Sequence, residues 1–369
     1  MSSLAEIRQD VAAVNRDALV QQIFNAASGA MQLFTIYIGD QLGFYEVLAS
    51  DGPMTSGELA CRTGTAERYV REWLEQQCVV GIVAVENPND EATSRRFYLP
   101  AGHDEVLADR ENLDYMAPVP QLVVGAMTPL RSVVDAFRSG KGVPYAAYGR
   151  DLVEGQARMN RAMFLYQLGQ EWLPHIPGLA DRLKSDPPAR IADFGCGAGW
   201  SSIGVTQSYP KVLVDGFDLD ADSIEIARAN AAEAGVSGRV TFAVRDAGDK
   251  ELEGKYDLVM ALECVHDMSD PVAALQTMRR LAKEDGSVLV VDERVADCFD
   301  PKAGGFEWLM YGFSVLHCLP AGMAEQPSAG TGTVMRCCTF TRYAKQAGFR
   351  DIEVLPIEHP LFRFYHLKP

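Results

Sequence analysis

The segment Ile191–Trp200, IADFGCGAGW, sets Gly195, Gly197 and Gly199 between a short apolar run and a helical pattern. Glycines so spaced let a chain turn tightly after a strand and bring its backbone against a ligand, as nucleotide sites require. Asp218 stands nineteen residues after the last glycine, close to the offset of about 20 at which a carboxylate can accept both hydroxyls of a ribose. Farther on, His266 and Asp267 follow a fourth apolar run, and Glu293 follows a fifth. An imidazole with an ordinary pKa of about 6.5 suits proton transfer near neutral pH. Asp267 or a later carboxylate could orient it.

Two nucleotide chemistries fit such a turn, and Trp200 separates them. A dinucleotide fingerprint needs Gly or Ala there, where helix and strand pack closely, and tryptophan is the wrong size. The pattern that stands is D-x-G-x-G-x-G, beginning at Asp193. It closely resembles motif I of the class I S-adenosylmethionine (SAM) dependent methyltransferases. The resemblance implies SAM as cofactor, S-adenosylhomocysteine (SAH) as its product, and a Rossmann-like α/β sheet. It also implies a site for each part of SAM. Gly195, Cys196, Gly197 and Gly199 would pass along the methionyl part and ribose, and Asp193 would hold the amino group directly or through water. Asp218 would bind the ribose and Leu219 would lie against the adenine. Asp246 and Ala247 would reach the adenine amino group, and the backbone at Glu263 and Cys264 would border the methionyl moiety.

The segment Val265–Asp270, VHDMSD, resembles the H-D-W-S-D segment of plant-type O-methyltransferases, whose histidine deprotonates a phenol. That makes His266 the candidate general base, with an acidic pH limb expected near 6.5, and Glu293 a carboxylate flanking it. Met268 departs from the family tryptophan, and GTGTVMR over Gly330–Arg336 offers no match for the family's second glutamate. Acceptor walls are expected from Met163, Phe164 and Tyr166 and from Trp308, Met310 and Tyr311. Such stripes are more often core than pocket. Tyr148, in YAAYGRDLVE, resembles a residue of a loop over the cofactor.

These residues need a frame to bring them together. Apolar runs at Arg190–Phe194, Val212–Phe217, Val240–Val244, Tyr256–Leu262 and Ser287–Val291 alternate with helical patterns such as Asp222–Glu233 and Pro271–Lys283. That alternation predicts a parallel sheet covered by helices, and Ile352–Ile357 with Leu361–Tyr365 predicts an antiparallel hairpin at its edge. Upstream, Phe24–Leu48 has helical spacing interrupted at Gly29 and Gly43. Thr55–Arg62 and Thr65–Gln77 read as a helix-turn-helix, with Val79–Val85 and Arg95–Leu99 as a β wing, which together resemble a winged helix. Helical segments are expected over Leu122–Phe137 and Arg150–Leu183. The expected organisation is a winged-helix and dimerisation domain over 1–105, a helical connector and substrate lid over 106–185, and a SAM-binding domain over 186–369.

Composition narrows the partners. The formal net charge is −16, which repels nucleic acid and acidic membranes. Residues 1–100 carry 7 basic side chains against 13 acidic, so the winged helix is a poor phosphate binder. No run approaches the roughly 18 apolar residues of a membrane span, and the start MSSLAEIRQD lacks the marks of a signal peptide. A cytoplasmic protein is expected. The eight cysteines show no C-x-x-C pair and no metal is expected. Cys337–Cys338 reads as a helix entrance, a vicinal redox or metal role being the other option. The expected function is O-methylation of an aromatic or apolar small molecule by a homodimer. Two alternatives stand: a SAM-binding regulator that uses the winged helix on DNA, and a SAM-binding enzyme with other chemistry.

Overall fold

A computed structural model describes the backbone from residue 4 and the side chains from residue 11 to the C-terminus. The chain forms two compact units, Met1–Gln121 and Leu122–Pro369. The helical stretch after residue 121 thus goes with the sheet. Its apolar face explains why: Phe164, Leu165, Leu168 and Trp172 belong to the same buried cluster as Ile191, Ile203 and Val214.

In the first unit a helix runs over Leu4–Gln41. It passes through Gly29, where a helical glycine meets no steric obstacle, and breaks at Gly43, whose left-handed φ of 69° starts the helix Phe44–Asp51. The helix-turn-helix forms as expected. Ser56–Thr63 opens on a capping box between Thr55 and Glu58, which satisfies amides left free at a helix start, and Glu67–Val79 follows. Trp73, Leu74, Val70, Phe44 and Tyr45 close its core. The wing is shorter than the apolar runs suggest: β1 (Ala84–Val85) pairs with β2 (Phe97–Tyr98).

The second unit is built on seven strands: β3 (Arg190–Phe194), β4 (Leu213–Asp218), β5 (Val240–Val244), β6 (Tyr256–Leu262), β7 (Ala282–Glu293), β8 (Asp351–Val354) and β9 (Phe362–Lys368). Their order is β5-β4-β3-β6-β7-β9-β8, with β3 to β7 parallel and β9 antiparallel to both neighbours. All seven residues of β6 are buried, as expected of a strand covered on both faces. After β3 the chain moves outward to β4 and β5, then returns to β6 on the other side. Strand order therefore reverses at β3, and the carboxyl end of such a strand is where open α/β sheets bind ligands. Gly195–Gly199 lies at that end. The helix expected over Pro271–Lys283 ends at Leu281, and β7 begins at once, longer than its apolar run.

Candidate active site

The glycine turn joins β3 to the helix Trp200–Ser208. Gly195 has a φ of 64°, and a Cβ there would lie 2.7 Å from Cys264 Sγ. Only glycine lets the two strand ends come so close. At Gly197 (φ 49°) a Cβ would meet nothing within 4 Å, so this part of the turn faces open space. Its amide donates to Asp218 Oδ2 at 2.8 Å, and the Asp220 amide donates to Asp218 Oδ1 at 2.9 Å. Burial raises the Asp218 pKa. Leu219 beside it is 61% exposed. Asp246 lies at the surface after β5, its Oδ1 accepting from the Gly248 amide, and Ala247 packs with Cys264 against the sheet core.

Asp193, at the end of β3, is buried. Its carboxylate is 1% exposed, and Oδ2 accepts from the hydroxyls of Ser201 (2.6 Å) and Ser202 (2.7 Å). Through Oδ2 it ties β3 to the next helix. Burial pushes its pKa up to about 6, against the two serine hydrogen bonds.

The proton-transfer machinery gathers at the ends of two adjacent parallel strands. Leu262 of β6 pairs with Val291 of β7, which sets the turn Val265–Asp267 beside Asp292 and Glu293. His266 Nδ1 lies 2.9 Å from Asp292 Oδ1 in hydrogen-bond geometry. Glu293 Oε2 is 3.0 Å from the same nitrogen without that geometry, and contributes charge. Asp292 can only accept, so Nδ1 carries the proton and Nε2 is the nitrogen left for a substrate. Burial alone would lower the His266 pKa. Glu293 and Asp292 outweigh it and raise the pKa well above its ordinary value. The same crowding, led by burial, lifts Glu293 to about 7.

The orienting carboxylate is thus a later one, Asp292, and not Asp267. Asp267 makes no hydrogen bond to the imidazole, and burial raises its pKa to about 6. The turn also gains an unforeseen neighbour. The Cys318 thiol is an electrostatic neighbour of His266 and lies 3.3 Å from His317 Nδ1. Burial drives the His317 pKa down to about 3, so that imidazole is neutral.

Other expected contacts sort by burial. The Tyr148 hydroxyl donates to the Leu316 carbonyl at 3.0 Å, and its ring stands edge-on to His317 at 4.5 Å. It is a buried packing residue and not a free cofactor ligand. Tyr145 is the tyrosine whose surroundings include Asp218, Asp267 and Asp220, which with burial raise its pKa. Phe164 faces the sheet core edge-on to Trp172, its carbonyl 2.1 Å from where a Gly204 Cβ would stand. That packing removes Phe164 from an acceptor wall. Met163 also packs on this core, and Met310 is buried. Tyr166 (41%), Trp308 (70%) and Tyr311 (37%) remain exposed. Cys337 begins the helix Cys337–Gln346, and both it and Cys338 are free thiols.

Residues 185–326 match the family model of a Methyltransferase domain, and residues 29–109 match that of the Rv2258c-like winged HTH domain. The chain is 32% identical over 200 residues to a ubiquinone biosynthesis O-methyltransferase of Leptothrix cholodnii, covering 53% of this chain and 77% of that protein. The chain belongs to the class I SAM-dependent methyltransferases. It is also 28% identical over 105 residues to ajmaline N-methyltransferase of Rauvolfia serpentina, which is 28% of this chain and 36% of that one. It spans only 5% of polyketide synthase ThaQ of Burkholderia thailandensis, at 27% identity over 104 residues. Its fold is similar to that of mitomycin 7-O-methyltransferase MmcR (TM-score 0.69, 18% identity, 96% of this chain and 99% of that one). It is similar also to human N-acetylserotonin methyltransferase in complex with SAM (TM-score 0.70, 15% identity, 95% and 97%).

The residues fit the methyltransferase cofactor. Gly197 opens onto free space beside the Asp218 carboxylate, Leu219 offers an uncovered apolar face, and Glu263 Oε1 is buried with no hydrogen-bond partner among the described residues. Each suits a different part of SAM: backbone and ribose, adenine, and positive charge.

Proposed function

We propose that this methyltransferase methylates a hydroxyl group of a small aromatic or apolar acceptor, with His266 as the general base. The observation that carries the reading is the His266 Nδ1–Asp292 hydrogen bond at 2.9 Å, beside Glu293 at the end of the neighbouring strand. Asp218, Leu219, Asp246, Ala247, Cys264 and the turn Gly195–Gly199 would hold SAM. When bound, SAM supplies an activated methyl carbon with a neutral thioether as leaving group. The protein then has to place the acceptor oxygen in line and take its proton. Positioning is worth up to about 7–11 kcal/mol of barrier in the best cases. His266 Nε2 receives the proton, and Asp292 with Glu293 stabilises the imidazolium that forms. Tyr166, Trp308 and Tyr311, the exposed aromatics of the expected set, are the proposed acceptor contacts.

Cofactor titration tests the frame of this reading. Asp218→Ala should weaken SAH binding by roughly tenfold or more, about 1.4 kcal/mol per decade, because both the ribose contact and the anchor of the Gly197 amide are lost. An unchanged affinity in calorimetry would take Asp218 out of the site.

A role on DNA is not favoured. In the helix Glu67–Val79 both arginines face carboxylates, Arg68 with Glu72 at 2.5 Å and Arg71 with Glu67 at 3.2 Å, which leaves little charge for phosphate. We assign this unit to homodimer formation in the cytoplasm. The helix Leu4–Gln41 leaves Val14, Val20, Ile23, Phe24 and Met31 exposed, a surface that a second copy would cover. Light scattering should give twice the chain mass, and a stable monomer at every concentration would refute the assignment. No helix among the described residues is long and apolar enough to cross a membrane.

A further inference from the structure

Glu263 is the only described non-glycine residue with a positive φ, 58°. A side chain in that region is strained and persists where its surroundings enforce it. Here the Glu263 amide donates to the Val291 carbonyl at 2.8 Å, and Oε2 accepts from Gln156 Nε2 at 3.1 Å. The Asn160 amide also lies close enough to favour the ionised carboxyl. The strained backbone therefore aims the carboxyl inward and fixes one oxygen. The other, Oε1, is buried and makes no hydrogen bond among the described residues.

This carboxyl sits between two parts of the site. The next residue, Cys264, meets the glycine turn at Gly195, and Glu293 and His266 are charged neighbours of the Glu263 carboxyl. An unpaired buried carboxylate is costly, and the cost is recovered when a cation arrives. Asp193, the carboxylate the motif would nominate for the cofactor's amino group, is held by Ser201 and Ser202.

We propose that the Glu263 carboxylate, through Oε1, binds the α-ammonium of the cofactor's amino-acid tail. The inference rests on the SAM reading of the site. Burial, with Glu293 close by, holds the Glu263 pKa up at about 8, the condition of a carboxyl still waiting for its cation. The strain at Glu263 then maintains a cation site before the cofactor enters.

Two ligands isolate the contact. SAH carries the ammonium but no sulfonium, and 5′-methylthioadenosine keeps the adenosine and thioether but lacks the amino-acid tail. Calorimetry on the full chain should show Glu263→Gln binding SAH about tenfold or more weakly, the scale of a charge-assisted hydrogen bond, with methylthioadenosine affinity unchanged. Glu263→Gly is the second variant, since glycine accepts the positive φ and keeps the fold. It should show the same selective loss. Either folded variant binding SAH as the parent does would overturn the proposal. So would equal losses for both ligands, which would mean a structural role, or loss of SAM affinity with SAH affinity intact, which would place Glu263 on the sulfonium. A parent that binds neither ligand would instead overturn the SAM reading itself, and this contact with it.

Discussion

His266→Ala should lower turnover on a hydroxylated acceptor by roughly 10²–10⁴-fold, the usual contribution of a positioned base, while SAH binds almost as before. The split follows from geometry. The imidazole presents Nδ1 to Asp292 and Glu293, so its free nitrogen belongs to the acceptor and not to the cofactor turn. In the parent enzyme the rate should rise with pH through the histidine's titration. That limb should lie above the 6.5 expected of an unperturbed imidazole, because the two carboxylates favour the protonated form and a base must first lose its proton. The limb belongs to the cluster, since groups this close titrate together. A variant that keeps most of its rate would leave orientation as the only catalytic device. A limb at or below 6.5 would contradict the role given to the carboxylates.

Asp292→Asn is expected to have the second largest effect. The substitution keeps the shape but replaces an acceptor of the Nδ1 proton with a group that can also donate, so the imidazole loses its fixed tautomer. In a Ser-His-Asp triad that change costs about 10⁴-fold. Glu293, 3.0 Å from the same nitrogen, should take over part of the work and limit the loss to about 10²-fold. Removing one negative charge destabilises the imidazolium, so the acidic limb should move to lower pH while the plateau falls. Glu293→Gln should move the limb the same way with a smaller loss of rate, because it removes charge without removing the hydrogen bond. The comparison is made by pH–rate profiles of the three proteins at saturating SAM. An Asp292→Asn enzyme with the parent's plateau and limb would show that Asp292 serves folding alone.

Much of the frame was legible because it is periodic and local. Buried parallel strands write themselves as apolar runs, a glycine turn as closely spaced glycines, and a helix start as Thr55 with Glu58. The sheet, the winged helix and the turn at Gly195–Gly199 follow from such signals. What stayed hidden are contacts between distant segments. Asp292 looks like the tail of an apolar run, and only the register of β7 on β6 sets it against His266, 26 residues earlier. Cys318 comes from another segment again. Tyr145 and Tyr148 share one short helical turn, so no sequence pattern could say that Tyr148 is spent on the Leu316 carbonyl. Phe164 shows the converse error: a residue type suited to a site was taken into the core, edge-on to Trp172. The strain at Glu263 has no sequence signature, because glutamate carries no preference for that conformation.

The most direct test of hydroxyl methylation is the mass and label position of the acceptor after incubation with SAM bearing a deuterated methyl group. A panel of phenols, enols, aliphatic alcohols and amines should be used, with SAH measured in the same samples. The expected result is an aromatic or apolar hydroxyl compound that exchanges its hydroxyl hydrogen for the labelled methyl, one SAH formed per product. Label on nitrogen or carbon, loss of CO₂ or gain of an oxygen without label would contradict O-methylation, as would SAH binding with no transfer to any hydroxyl in the panel.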